Sequence, residues 1–146
     1  MIHGVLIVSE EGDCRLLRFY DELTCEQQQA IVADLLFFMK QRSRDASNFI
    51  FHDVGIQGIH GVYRKYARLY FAMLVDDCEN DLAVLDLIQC YVEVLDGVFN
   101  RVCEMDLLLN LEKSNLVLDE LICGGIVINN NAERVLQQYK ANMAAK

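Results

Sequence analysis

Two adjoining runs decide how this chain folds: YRKYARLYFAMLVDD, residues 63–77, and NDLAVLDLIQCYVEVLDGVFNR, residues 80–101. The first reads as strand, the second as a helix. That helix carries two adjacent apolar stripes. Leu85, Ile88, Val92, Leu95 and Phe99 follow a 3-4-3-4 spacing, and so do Val84, Leu87, Tyr91, Val94 and Val98. Only the third stripe, with Asp86, Gln89, Glu93 and Asp96, is polar. A surface helix needs an apolar face of about 100° against one neighbour; this one offers roughly twice that by 3.6-residue geometry. One layer of sheet cannot cover both stripes. A second helix, a partner chain or a ligand must cover the rest, which points to a binding or assembly role more than to catalysis.

The first run, with Val62 before it, reads as two strands, Val62 to Tyr66 and Leu69 to Val75, or as one long bent strand. Ile2 to Ser9 is almost continuously apolar and so is expected inside a sheet, covered on both faces. EEGD at 10–13 is a hairpin turn containing Gly12, and Cys14 to Tyr20 returns as the second strand. Thr24 and Gln27 have capping-box spacing, opening a helix to about Arg42 with Ile31, Leu35, Phe38 and Met39 on one side. SRDASN is expected to be a loop, Asn48 to Val54 a third strand, and GIQGIHG a glycine-rich turn. Asn80 caps the striped helix. Downstream, a short helix is expected at Met105 to Asn110. Another runs from Ser114 to Cys123 and stops at Gly124-Gly125. A last one spans Ala132 to Met143 with Val135 and Leu136 inward. The expected architecture is α+β in one domain, residues 1–146: an antiparallel sheet with helices on both faces.

Composition narrows the function. The 146 residues are 53% hydrophobic, with no Trp and no Pro, which suggests apolar surface left for a partner. A net charge of −9 disfavours a nucleic-acid binder, and equally a protein held on an anionic membrane by its own charge. No apolar run reaches transmembrane length. The opening MIHGVLIVS lacks the basic region and cleavage site of a targeting peptide, and Gly4 is not in the myristoylation position. The six cysteines form no C-x-x-C pair and no zinc spacing. They imply a reduced, cytosolic chain, several of them packing as small hydrophobes. His3, His52 and His60 belong to no triad pattern. Gly55, Gly58 and Gly61 form no phosphate loop. Asp76, Asp77 and Glu79 read as acids favouring a helix start. No catalytic residue, metal or cofactor is expected.

The runs YRKYARLYFAMLVD, LDLIQCYVEVLD and NRVCEMDLLLN, with the opening IHGVLIVSEEGDCRLLRFY, resemble the small (sigma) subunit of clathrin-adaptor-type heterotetrameric complexes. The likeness covers almost the whole chain and is weakest between Gln41 and Gly61. LDLIQ at 85–89 and GGIV at 124–127 resemble the class built on delta-adaptin, the third adaptor class. The resemblance implies a longin-like fold, with a five-stranded antiparallel sheet between helices and extra C-terminal helices. It implies permanent assembly with a large adaptin subunit, alongside beta and mu subunits, in a vesicle coat. The chain would then be cytoplasmic and peripheral on Golgi or endosomal vesicle membranes. A different reading is a longin-fold tethering or SNARE-regulatory module that binds a small GTPase or a helix.

The family also implies recognition of acidic dileucine sorting signals on cargo tails. Its leucine-pocket residues fall on Ala67, Leu69, Val92, Val102 and Leu107, and its basic residue for the signal's acid on Arg15. Arg101 stands where family members commonly have Asn, a second cation beside the pocket. Read alone, Arg15 is an ordinary solvated strand cation. Val92, Ala67, Leu69, Val102 and Leu107 alone would be core residues. Cys14 beside Arg15 invites a low-pKa thiol, though a plain strand cysteine is the simpler reading.

Overall fold

The computed structural model describes residues 1–41, 49–50 and 58–145. Strand β1 (Ile2–Ser9) turns back through Gly12 into β2 (Cys14–Phe19). Helix α1 (Cys25–Gln41) follows, opened by the anticipated capping box: the Thr24 amide donates to Gln27 Oε1 at 2.9 Å, and the Gln27 amide to Thr24 Oγ1 at 3.2 Å. Then come β3 (Phe49–Ile50), β4 (His60–Tyr66) and β5 (Leu69–Val75). The remainder of the expected third strand, the SRDASN loop, His52 and Gly55 lie outside the described residues. The strand order is β2-β1-β5-β4-β3, antiparallel at each pairing, with a fifth strand only two residues long. β4 and β5 are a hairpin rather than one bent strand. Their two-residue turn, Ala67-Arg68, has positive φ at both positions (51° and 67°), as mirror-image hairpin turns require.

The two sheet faces feed different clusters. Leu6, Val8, Tyr63, Ala72 and Leu74 meet Ile31, Leu35 and Met39 of α1. Val5, Ile7, Val62, Phe71 and Met73 point the other way, into the larger core. Ile2 joins that larger core although its parity is wrong for it. The reason is a register shift between Ile2 and Gly4 against β5, which skips His3 and flips the alternation.

Helix α2 (Asp81–Phe99) is the centre of the larger core. Asn80 caps it as expected, its Oδ1 accepting from the Leu82 and Ala83 amides at 3.0 and 3.2 Å. The double stripe is real: Val84, Leu87, Ile88, Tyr91, Val92, Val94 and Leu95 are all buried. Its covering, however, comes from the chain itself. After α3 (Glu104–Leu109), helix α4 (Leu111–Leu121) packs Val117, Leu118 and Leu121 into the same core, and α5 (Ala132–Ala144) adds Val135 and Tyr139. The Tyr91 hydroxyl donates to the Ser114 carbonyl at 2.9 Å, tying α2 to α4. Gly97 lets α5 approach closely, since a Cβ there would lie 2.7 Å from Leu136. The step from double stripe to outside partner is therefore overturned: two later helices are what the second stripe needed.

Two boundaries also move. The helix expected from Ser114 to Cys123 begins at Leu111 and ends at Leu121. Ile122–Cys123 is a short strand, β6, paired with β7 (Ile126–Val127). Gly124-Gly125 is thus a hairpin turn and not a helix stop, with φ of +57° and +87°. Either structure would ask for positive φ, so the dipeptide alone could not decide. The hairpin docks on the sheet through Ile2 N–H donating to the Gly125 carbonyl at 2.8 Å. Of the cysteines only Cys90 is buried, so most do not pack as small hydrophobes. Among the described residues no helix is long and apolar enough to cross a membrane, and no group of three His, Cys, Asp or Glu could hold a metal ion.

Candidate binding site

The carried-over site residues come from β2 (Arg15), the β4–β5 turn (Ala67), β5 (Leu69), the middle of α2 (Val92), the bend after it (Arg101 and Val102) and α3 (Leu107). Leu69, Val92, Val102 and Leu107 are each at most 2% exposed and belong to one core cluster. Ala67 does not join them there; it is exposed, in the β4–β5 turn. The four apolar residues are packed interior of that one large core rather than the wall of an open hollow. Three surface cavities lie elsewhere, lined for example by Glu120 and Arg134, by Ala83 and Val127, and by Leu116 and Met143.

The bend after α2 is held by a residue that sequence reasoning placed in the polar stripe. Asp96 Oδ1 accepts from the Val102 amide at 2.9 Å, and Oδ2 from the Tyr66 hydroxyl at 2.7 Å. Its carbonyl accepts from the Arg101 amide at 3.1 Å. Those bonds hold Asn100 and Arg101 in left-handed backbone (φ 56° and 76°), a conformation that costs a non-glycine residue strain. An acid in the last turn of a helix opposes the helix dipole. That misplacement was the available signal that Asp96 has another task. The hydrogen bond to Asp96 raises the Tyr66 pKa, and the Arg101 charge acts against it, so Arg101 lies within electrostatic reach of that hydroxyl. Arg101 itself is exposed.

Arg15 is not an idle surface cation. Its Nε donates to Glu104 Oε1 at 2.7 Å, its Nη2 is 2.7 Å from the same oxygen, and Asp13 Oδ2 is 3.5 Å from Nη2. This pair ties β2 to the first turn of α3, across 89 residues of sequence. Neighbouring Cys14 is no activated thiol: although the residue is exposed, desolvation of its sulfur by the surrounding chain pushes its pKa up, and the lowering by Leu16 and Arg15 does not offset it.

The acids before α2 do more than favour its start. His3, skipped in the register with β5, sits between two carboxylates, with Nδ1 2.6 Å from Asp21 Oδ2 and Nε2 2.9 Å from Asp76 Oδ2. Burial lowers the His3 pKa, but the hydrogen bonds and charges of Asp76 and Asp21 outweigh it and leave it raised. The bond to His3 in turn leads the lowering of Asp76. His60 Nε2 lies 2.6 Å from Asp81 Oδ1.

Apolar side chains still reach solvent, Leu82 in the first turn of α2 among them. Met105, Leu108 and Leu109 of α3 and Leu111 at the start of α4 are exposed, as are Ile126 and Ile128 around the β6–β7 hairpin.

Comparison with known proteins agrees with this architecture. The family model of the clathrin adaptor complex small chain matches residues 1–145. The AP-3 complex subunit sigma of Dictyostelium discoideum is 35% identical, covering 96% of this chain and 84% of that protein. The AP-3 complex subunit sigma of Arabidopsis thaliana is 39% identical over 94% of this chain and 83% of its own length. The AP-3 complex subunit sigma-2 of Homo sapiens is 37% identical over 97% and 74%. A chain from a homology model of the full-length AP-3 complex in a stretched open conformation superposes with a TM-score of 0.79 at 34% identity, over 99% of this chain and 95% of that one. This chain belongs to the clathrin adaptor complex small chain family.

Proposed function

We propose that this protein is the sigma subunit of an AP-3-type vesicle-coat adaptor, a single longin-like domain with no catalytic activity. It works in the cytoplasm, peripheral on Golgi or endosomal vesicle membranes, within a heterotetramer that includes a large adaptin, a beta and a mu subunit. It stabilises the trunk of the large subunit and contributes to binding acidic dileucine signals on cargo tails. The whole-length likeness to AP-3 sigma subunits carries the assembly part of this reading. The exposed apolar residues of α3 and the β6–β7 hairpin support it, because obligate interfaces are large and apolar.

The cargo part rests on the adjacency of a guanidinium to an apolar cluster. Arg15 contacts α3 through Glu104, and α3 also carries Leu107, which belongs to the same apolar core as Leu69, Val92 and Val102. Two leucines and an acid need such a combination. Each buried leucine contributes about 1.5–3 kcal/mol before ordering costs. The site is closed as it stands, so the leucines enter only if the bend and α3 give way.

Co-expression tests the assembly: the chain should co-purify with a large adaptin-like subunit in equal amounts. Recovery with a small GTPase or a tethering helix instead would favour the other longin-fold reading. Titrating that purified pair with an acidic dileucine peptide tests the cargo role. Arg15→Ser is expected to weaken binding. Equal binding by both forms, or none by either, would remove the cargo role and leave the assembly role standing.

A further inference from the structure

We infer that Glu104 is an internal stand-in for the acidic residue of the cargo signal, holding the site shut until a peptide displaces it; this rests on the dileucine reading of the same site. A guanidinium reads a carboxylate best with two parallel N–H groups along one edge. On Arg15 the edge formed by Nε and Nη2 is already filled, both nitrogens lying 2.7 Å from Glu104 Oε1. Asp13 stands 3.5 Å from Nη2. Two carboxylates around one cation leave the spot net negative, so an incoming acid meets repulsion while Glu104 stays. The incoming acid and Glu104 therefore compete for one fork.

Glu104 is placed to leave. Its side chain is 36% exposed, and it sits in the first turn of a helix only six residues long. Leu107, three residues along the same helix, is fully buried in the apolar core that the dileucine reading assigns to the leucines. Residues at i and i+3 share a helix face, so α3 latches both halves at once: Glu104 on the charge and Leu107 on the leucine hollow. Release of the Arg15–Glu104 pair frees α3 to move and opens both. The cargo's acid then acts as a key as well as a contact, and the chain selects for it twice.

The experiment uses the co-purified complex of this chain with its large subunit and two synthetic peptides. One carries an acid-x-x-x-Leu-Leu signal; the other has Gln in place of the acid. Glu104→Gln keeps the size and removes the charge. It is expected to tighten binding of the acidic peptide about three- to ten-fold and that of the Gln peptide clearly less, because a freed α3 serves both peptides while only the acidic one gains the vacated fork. In an Arg15→Ser background the gain should vanish, because the fork competed for is gone. Unchanged or weaker binding of the acidic peptide by Glu104→Gln would overturn the latch. So would an equal gain for both peptides, the mark of a loosened strut. If the wild-type complex binds the acidic peptide through Arg15 while Glu104→Gln brings no gain, the latch alone fails. If neither form binds either peptide, the dileucine reading falls and the latch with it.

Discussion

Replacing Val92 with aspartate tests whether the leucine site is closed at rest. An open hollow would accept the acid at its wall, with loss of peptide binding and little else. The structure demands a different outcome. Val92 is 1% exposed and packed in the α2 core. Aspartate is no larger than valine, so sterics contribute little. The cost is electrostatic, because the new carboxyl would be taken out of water into an apolar core. Keeping the buried carboxyl neutral at pH 7 means holding a proton about three units above its ordinary pKa of about 3.9, or about 4 kcal/mol at about 1.36 kcal/mol per unit. Losing the buried valine adds about 1.5–2 kcal/mol. The sum, about 6 kcal/mol, rivals the whole stability of a typical domain, about 5–15 kcal/mol. Val92→Asp should therefore collapse soluble yield and lower the melting temperature of the complex steeply, not only its peptide affinity. The penalty has a pH signature. A folded-state pKa raised by burial leaves the mutant least harmed at low pH, and the deficit relative to wild type should grow as pH rises from about 4 to 7. Val92→Asn, which cannot titrate, should show a deficit independent of pH over that range. A Val92→Asp complex that assembles with wild-type yield and melting temperature would show that water reaches Val92, and the closed packing would be refuted.

Two further outcomes follow from other parts of the fold. With a His3 pKa raised above its ordinary 6.5, the clamp to Asp21 and Asp76 contributes fully below that pH and is lost as pH rises through the folded value; melting temperature should fall over that window in wild type and much less in His3→Gln. Gly125→Ala should cost more than the roughly 1–2 kcal/mol of a left-handed alanine, because the new Cβ would meet the Ile2 carbonyl oxygen at 2.5 Å. Gly124→Ala, with nothing within 4 Å, should show the conformational cost alone, and urea midpoints of the two variants should separate accordingly.

What the sequence disclosed divides along distance in the chain. The capping box at Thr24 and Gln27, the cap at Asn80 and the hairpin at Gly12 are local, and each is where its residues predict. The α2 stripes gave the position of the core correctly, but periodicity reports that a face is buried and not by what. Here α4 and α5 lie beyond the stripes in sequence, and α5 offers only Val135 and Tyr139 as buried side chains. For the same reason the burial of Leu69, Val92, Val102 and Leu107, which family resemblance named as pocket residues, could not be seen: a pocket wall and a core have the same residues. The Arg15–Glu104 bond joins positions 89 apart, and no spacing rule reaches that far. Asp96 came closest to being readable, since its place in the last turn of α2 contradicts the helix dipole.

The late arrival of α4 and α5 has a consequence for synthesis. The ribosome delivers a chain from its beginning at about 5–20 residues per second. When the polypeptide has emerged only as far as Leu109, the sheet strands and α2 are complete, yet the outer stripe of α2 has nothing upon it. For the seconds needed to make the final helices, the growing polypeptide displays a bare greasy ridge, and holding that ridge out of aggregates is a task for chaperones at the tunnel exit.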